Sequence, residues 1–217
     1  MLRVMRLATA LIGALLIVAC GGSTANLSDS EKNAATASPP PSGGLPWDAP
    51  ANPLAAIAAA GLVPESHETL IHHVHAHLDV YVNGKQVVVP AGIGIDTTDP
   101  GVKKGQSPDG SAAWGGIQQC SKPCISPLHT HDDTGVLHTE SGSAVPNRLG
   151  QFFAEWGVKL DSTCVGGYCR PAASVVIFVD GKRFDGEPTT IELTDHKEIA
   201  IVIGSPPSSV PGGFPGG

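Results

Sequence analysis

Polar and apolar side chains alternate along residues 72–82, which read His-His-Val-His-Ala-His-Leu-Asp-Val-Tyr-Val. Such alternation is typical of a half-buried β-strand, because successive side chains of a strand point to opposite faces of the sheet. The face predicted to meet the core carries Val74, Ala76, Leu78, Val80 and Val82. The other face carries His73, His75, His77, Asp79 and Tyr81. The pattern therefore predicts a strand with one apolar face and one face rich in histidine.

Turn and cap signals predict the surrounding elements. Asn83-Gly84 and Asp180-Gly181 each follow an apolar strand pattern and favour tight β-hairpin turns. Asn52-Pro53 can begin one short helix, and Asn147 can cap a second helix that ends near Gly157. The predicted fold class is α+β, mainly antiparallel β: a single domain with β-hairpins and two short helices.

A second group of histidines lies in residues 125–141, which predict two short strands around a turn at 132–135. In that register His129 lies opposite His138, although a bulge at Gly135 would shift the pairing. Opposed side chains in an antiparallel pair have Cβ atoms about 4.5–5.5 Å apart. The residues predicted to share one face are His129, His131, His138 and Glu140.

The two groups together predict a metal site. Seven of the nine histidines fall within them, and His-rich tracts of this kind commonly bind metal. The predicted ligands are His73, His75, His77, His129, His131, His138 and Glu140. Asp79 and Asp132 are predicted to orient ligand rings by hydrogen bonds. The alternative is a solvated polar face on which the histidines have no common role.

The donor types indicate which metal is bound. Imidazoles with a carboxylate suit Zn²⁺, Cu²⁺, Fe²⁺ or Ni²⁺, whereas Mg²⁺ and Ca²⁺ prefer oxygen ligands. Both methionines lie within the first five residues, so a methionine-based Cu⁺ site is excluded once a leader is removed. Zinc or copper is the predicted cofactor.

The N-terminus has the features of an export signal. Arg3 and Arg6 precede an apolar run over residues 7–18, which is shorter than the roughly 20 residues that cross a membrane. We assign residues 1–19 to the signal peptide and residues 20–51, rich in Ser, Ala, Pro and Gly, to a disordered tether. The His-rich β domain then spans residues 52–204, and residues 205–217 form a disordered tail.

The end of the signal, Ile17-Val18-Ala19-Cys20, resembles the lipobox of bacterial lipoproteins. That resemblance implies cleavage before Cys20, lipidation of its sulfur, and a location on the outer face of the cell membrane or in the periplasm. A plain secretory signal, in which Cys20 has no such role, is the alternative. The membrane, reached through the lipid, would then be a partner.

The remaining four cysteines make an even set, which in an exported protein usually forms disulfides. Three pairings are possible. Local pairing is favoured, because Cys120–Cys124 and Cys164–Cys169 each bracket a turn that contains Gly or Pro. The alternative makes Cys120 and Cys124 thiolate ligands beside the histidines.

Charge argues against nucleic acid as a partner. The chain has a formal net charge of −7, and removal of Arg3 and Arg6 with the signal leaves 11 basic against 20 acidic residues, or −9. No basic patch stands out along the chain, whereas nucleic-acid-binding domains carry one. An acidic surface is compatible with the attraction of cations.

Several segments also resemble a family of exported bacterial and archaeal proteins of unknown function. The resemblance covers most of residues 70–204 and includes HVHAHLDVYVNGK, LHTHDDTGVLHTE, LGQFFAEWG and IFVDGK. Its most specific element is His129-Thr130-His131-Asp132 together with His138 and Glu140. The resemblance implies a single domain and no particular activity.

Other families with His-x-His motifs match less well. His129, His131 and Glu140 are similar to the metal motif of cupins, but the spacing is longer and the glycine frame of cupins is missing. Copper–zinc superoxide dismutases have a glycine-rich metal loop and an Arg segment that find no match here. Multicopper oxidases need more domains than this chain can hold.

Three functional hypotheses follow. The first is an exported, membrane-anchored lipoprotein that binds zinc or copper through the two histidine clusters. The second is a small metalloenzyme, cupin-like or hydrolytic, in which three of the histidines hold the ion, water takes a fourth position and Glu140 acts as the base. The third is a structural or interaction module of the cell envelope.

Overall fold

The computed structural model describes residues 47–216. The predicted signal peptide, the lipidation of Cys20 and all of the tether before Trp47 lie outside the described residues. The helices are α1 (Pro53–Ala59) and α2 (Leu149–Trp156), and a 3₁₀ turn covers Pro188–Thr190. The first six strands are β1 (His72–Val82), β2 (Lys85–Val87), β3 (Lys103–Gln106), β4 (Ala112–Gly115), β5 (Leu128–His129) and β6 (Val136–Ser141). The others are β7 (Cys164–Val165), β8 (Tyr168–Cys169), β9 (Val175–Val179), β10 (Lys182–Phe184) and β11 (Lys197–Ile203).

One seven-stranded sheet organises the domain, in the order β10-β9-β11-β1-β6-β5, with β2 also paired to β1. Every pair is antiparallel except β1 with β11, which is parallel. The predicted α+β, mainly antiparallel class and the two short helices are confirmed. The parallel pair joins segments about 120 residues apart (Ala76 lies opposite Lys197), and no local pattern in the sequence indicates it.

The predicted strand and hairpin turns are confirmed. Strand β1 has the expected bounds, and both central residues of the turn that follows have positive φ, 51° at Asn83 and 79° at Gly84. Asp180 and Gly181 form the second hairpin with φ of 50° and 72°. Positive φ at both positions is what a type I′ turn requires, and its twist matches the flanking strands.

The core lies on the apolar face of β1, where Ala76, Leu78, Val80 and Val82 are at most 6% exposed. Helix α2 packs there through Phe152, Phe153 and Trp156, all at most 2% exposed. Full burial of each such ring stabilises the fold by roughly 1.5–3 kcal/mol. The predicted cap at Asn147 is wrong by one residue: the N-cap is Arg148, whereas the Asn147 side chain donates to the Pro127 carbonyl.

A smaller apolar cluster supports the long loop between β2 and β5. It includes Ile95, Ile117, Ile125 and the disulfide Cys120–Cys124. The second disulfide, Cys164–Cys169, joins β7 to β8. Both predicted pairings are confirmed, so Cys120 and Cys124 are not free thiolates. The disulfides are compatible with an exported protein.

The two ends of the described chain contact the domain. Trp47, in the predicted tether, packs edge-on against Trp156 with ring centroids 5.6 Å apart. Phe214, in the predicted tail, lies 4.8 Å from the ring of His196 and 6.2 Å from that of His77. Within residues 47–216 there is no helix with the length and apolar character needed to cross a membrane.

Candidate metal centre

Histidines from three adjacent strands stand in one row on the polar face of the sheet. His75 on β1 lies opposite His138 on β6, and His138 lies opposite His129 on β5. In the next row of the same face, His73 lies opposite Glu140. Directly opposed residues share a face and bring their Cβ atoms within about 5.5 Å. The pairing of β1 with β6 and β5 therefore brings the two histidine groups of the sequence together.

These side chains form two overlapping sets of four that could hold a metal ion. In each set the candidate ligand atoms lie within 4.8 Å of one another. The first set is His129, His131, His138 and Glu140; the second is His73, His75, His138 and Glu140. We call His129 and His131 the inner pair, and His73 and His75 the outer pair. His138 and Glu140 belong to both sets.

The inner pair is oriented by backbone carbonyls. His129 Nδ1 lies 2.9 Å from the Ser126 carbonyl, and His131 Nδ1 hydrogen-bonds the Trp114 carbonyl. A carbonyl only accepts, so both Nδ1 atoms carry hydrogen, and in the neutral rings both Nε2 atoms have free lone pairs. Those Nε2 atoms are 3.2 Å apart. Two lone pairs at this distance repel each other unless a cation lies between them.

A supporting loop explains how a strand of two residues holds His129 so firmly. Residues 92–95 run behind β5, where Ser126 N–H donates to the Gly94 carbonyl at 2.8 Å. Gly94 has φ +75°, and a Cβ there would come within 2.5 Å of the Leu128 carbonyl oxygen. Only glycine permits both the left-handed backbone and this close approach.

The outer pair is more accessible. The Nε2 atoms of His73 and His75 are 2.8 Å apart, and His73 Nε2 lies 3.1 Å from Glu140 Oε1. The side chain of His73 is 35% exposed, whereas that of His129 is fully buried. The rings of the outer pair meet edge to face, with centroids 4.6 Å apart.

Glu140 lies at the junction of the two sets. Its Oε1 is 3.3 Å from His138 Nδ1 and 3.9 Å from His129 Nε2, and within the described chain its buried Oε2 has no hydrogen-bond partner. Burial by itself raises the pKa of this carboxyl, but the hydrogen bond from His138 and the electrostatic interaction with the imidazoles of His129, His138 and His73 outweigh it and lower the pKa to about 2. Glu140 is therefore an anion at neutral pH.

Burial favours the neutral form of three histidines near Glu140, namely His75, His129 and His138. Burial and the nearby His131 lower the pKa of His129 to about 3. Burial is also the main cause that lowers the pKa of His138 and of His75. Metal ions bind neutral imidazole and ionised carboxylate, so the shifts of His75, His129, His138 and Glu140 all favour the ligating form.

An open cleft of about 620 Å³ gives access to the centre. Its floor includes His73, His75, His131, His138 and Glu140, and one wall is the β3–β4 hairpin. That hairpin is fixed to the site because Trp114 N–H donates to the His131 carbonyl at 2.8 Å. The centre is thus reachable by an ion and by a small molecule.

Three predicted site residues do not join this centre. His77 and Asp79 lie further along β1 and form a separate buried group with Glu198. The separation arises because His77 lies opposite Val136 on β6, which offers no ligand atom, and opposite Glu198 on β11, which its ring contacts. Asp132, predicted to orient a ligand ring, instead hydrogen-bonds Thr134 and Ser107 and so holds the turn before β6.

Other contributors carry little or no signal in the sequence. The ring-orienting carbonyls of Ser126 and Trp114 are backbone atoms, which any residue could supply. Glu68 lies in the segment before β1, with Oε1 3.8 Å from His131 Nε2. Only long-range pairing places these groups at the site.

Comparison of the chain with protein-family models, with curated proteins and with solved structures gives no match in any of the three. Fold and site alone define the class: a mainly antiparallel β domain whose grouped histidines and carboxylates could hold a metal ion.

Proposed function

We propose that this protein is an exported, membrane-anchored lipoprotein that binds a transition-metal ion, zinc or copper, through His73, His75, His129, His131, His138 and Glu140. The observation that carries the proposal is the inner pair, whose two Nε2 lone pairs converge at 3.2 Å. Tetrahedral Zn–N bonds of about 2.0–2.1 Å place neighbouring nitrogens about 3.3–3.4 Å apart. The inner pair has nearly this separation.

The overlap of the two sets supports binding combined with transfer. The set with the inner pair contains the fully buried His129, whereas the set with the outer pair contains the exposed His73. Because His138 and Glu140 belong to both sets, an ion can exchange the outer pair for the inner pair without leaving its shared ligands. Such a path suits a protein that captures an ion and passes it on.

Metal content is the direct test. We expect the metal-free protein to take up Zn²⁺ or Cu²⁺, measured by elemental analysis after desalting, and the double variant His138→Asn/Glu140→Gln, which removes both shared ligands, to lose an equivalent. His72→Asn is the matched control, because His72 is a histidine of β1 that belongs to neither ligand set of the described chain. A wild-type protein that stays metal-free, or a double variant that binds as much as wild type, would contradict the proposal.

The membrane anchor has its own test. The lipobox-like segment before Cys20 and the two disulfides support export. We expect Cys20→Ser to move the protein from the membrane fraction to the soluble fraction in a bacterial host, with unchanged metal binding. Wild-type protein found only in the soluble fraction would refute the anchor and leave the metal proposal intact.

A small metalloenzyme is the second candidate, and the cleft is the observation that favours it. The cleft has room for a substrate beside the ligands, and an ion held there can keep a position for water. In the Co²⁺-substituted protein, azide should then change the visible absorption bands by displacing that water. Bands that do not respond to azide indicate a closed coordination sphere and favour the binding role.

A further inference from the structure

A second group of potential ligands lies beyond the centre, on the same face of β1. It consists of His77, Asp79 and Glu198, which are 4%, 4% and 0% exposed. His77 Nδ1 lies 2.9 Å from Glu198 Oε2 and 3.7 Å from Asp79 Oδ2. Among the described residues that line the cleft, none belongs to this group. The three side chains therefore meet in the interior, apart from the first centre.

The hydrogen bond on the far side of His77 fixes the state of its ring. His77 Nε2 lies 2.9 Å from the Thr134 carbonyl, so this nitrogen must carry hydrogen and donate. In the neutral ring, Nδ1 then points a lone pair at two carboxylate oxygens. Nitrogen and oxygen lone pairs at 2.9 Å require a positive charge between them, either a proton or a metal ion.

The carboxylates of Asp79 and Glu198 each have an oxygen free to bind a metal ion, and Asp79 is held in place by a neighbouring side chain. Gln86 donates to Asp79 Oδ1 at 2.6 Å, which turns Oδ2 toward His77. Hydrogen bonds of this kind, from a residue behind the ligand, are typical of metal sites. Glu198 has one oxygen on His77, while its other oxygen, Oε1, is buried and lacks any hydrogen-bond partner in residues 47–216. That oxygen is available to a cation.

The charge of the group favours a divalent ion over a proton. The ion pairs of Asp79 and Glu198 within the described residues involve only His77. A proton on His77 leaves two buried carboxylates facing one positive charge. A divalent cation balances both carboxylates and lets His77 remain neutral, which satisfies all three groups at once.

We propose that His77, Asp79 and Glu198 form a second metal site with a structural role, which takes a divalent transition-metal ion such as Zn²⁺. One nitrogen and two or three oxygens suit Zn²⁺ among the ions that accept mixed ligands. The ion would link β1 to β11, the parallel pair through which the two halves of the sheet are connected. The ring of Phe214 packs edge-on beside His77, with ring centroids 6.2 Å apart.

The test uses the full mature chain with the first centre disabled by His138→Asn/Glu140→Gln, which removes the two ligands that both sets share. We expect this double variant to keep about one equivalent of Zn²⁺ and to show a higher unfolding temperature with Zn²⁺ than with EDTA. Adding Glu198→Gln, which keeps shape and removes charge, should abolish both the bound ion and the shift. Glu192→Gln, at an exposed position, is the matched control.

A folded double variant that binds no Zn²⁺, with the same unfolding temperature in Zn²⁺ and in EDTA, overturns the second site and assigns a proton to His77. If Glu198→Gln fails to fold, Asp79→Asn in the same background gives the same two readouts. The two proposals fail separately. One equivalent of zinc in wild type and none in the double variant rejects only the second site, whereas one equivalent in both proteins rejects only the first.

Discussion

The inner and outer pairs of the candidate metal centre both consist of histidines, but their imidazole rings are oriented by different contacts. His129 and His131 are each tied by Nδ1 to a backbone carbonyl. Within the described chain, the rings of His73 and His75 have each other and Glu140 as polar neighbours and no carbonyl behind them. A ring fixed from behind is preorganised for a metal, whereas a free ring must be ordered on binding. The inner pair should therefore supply most of the affinity, and the outer pair most of the access.

The largest effect is expected from Glu140→Gln, because this residue belongs to both sets. The substitution keeps the shape but removes the anion at the junction of the imidazoles. We expect affinity for Zn²⁺ to fall on the order of 1000-fold, about 4 kcal/mol, in competition with a chromophoric chelator. Glu192→Gln, which removes an exposed charge, is the control. A loss no greater than in the control would remove Glu140 from the ligand set.

Glu155 tests how the inner pair is supported. This residue of α2 is fully buried and accepts a hydrogen bond from the Ser126 hydroxyl, while the Ser126 carbonyl accepts from His129. Burial raises the pKa of Glu155 to about 8. Below pH about 4.5 the carboxyl is protonated in both the folded and the unfolded chain. Between pH about 4.5 and 8 only the folded chain holds the proton, so stability falls as pH rises.

We therefore expect Glu155→Gln to stabilise the metal-free protein at pH 7 by about 3 kcal/mol, since each unit between the unfolded and folded pKa contributes about 1.4 kcal/mol. Urea unfolding in EDTA at pH 5, 6, 7 and 8 measures this. The variant should exceed wild type in free energy of unfolding by an amount that grows with pH from 5 to 8, because the lowered pKa values of His129, His138 and His75 act equally in both proteins. Parallel curves would show that Glu155 ionises normally in the fold.

His131→Asn measures the inner pair directly. It removes one Nε2 from the inner set and leaves the outer set complete. We expect a loss of zinc affinity of about 100-fold, with little change in stability because the amide nitrogen of Asn can replace Nδ1 as the donor to the Trp114 carbonyl. The same chelator competition provides the value. A loss smaller than that of an outer-pair variant would reverse the ranking of the two pairs.

The sequence predicts which histidines share a face of the sheet, but not the long-range and backbone contacts that complete the two groups. Alternation alone placed β1 and its faces, since each side chain follows from the period of the strand. The turn at 132–135 also gave the pairing of His129 with His138. The parallel pairing that places Glu198 opposite His77 joins segments far apart in the chain, so no local sequence pattern predicts it. The carbonyls that orient the inner pair could not be predicted either, because every residue has a backbone carbonyl.

The smallest loss of affinity is expected from His73→Asn. His73 is part of the outer pair, its side chain is 35% exposed, and the inner set remains complete without it. We expect zinc affinity to fall about 10-fold or less, close to 1.4 kcal/mol. The rate of zinc uptake, followed by stopped-flow with a fluorescent zinc indicator, should fall more than the affinity.

His72→Asn is again the control for strand β1, because it changes the neighbouring residue on the opposite face. Equal effects of His72→Asn and His73→Asn on uptake would indicate a general disturbance of the strand rather than loss of a ligand. An affinity loss at His73 as large as that at His131 would mean that the ion is held at the cleft mouth. The backbone carbonyls behind the inner pair would then orient rings that do not hold the ion.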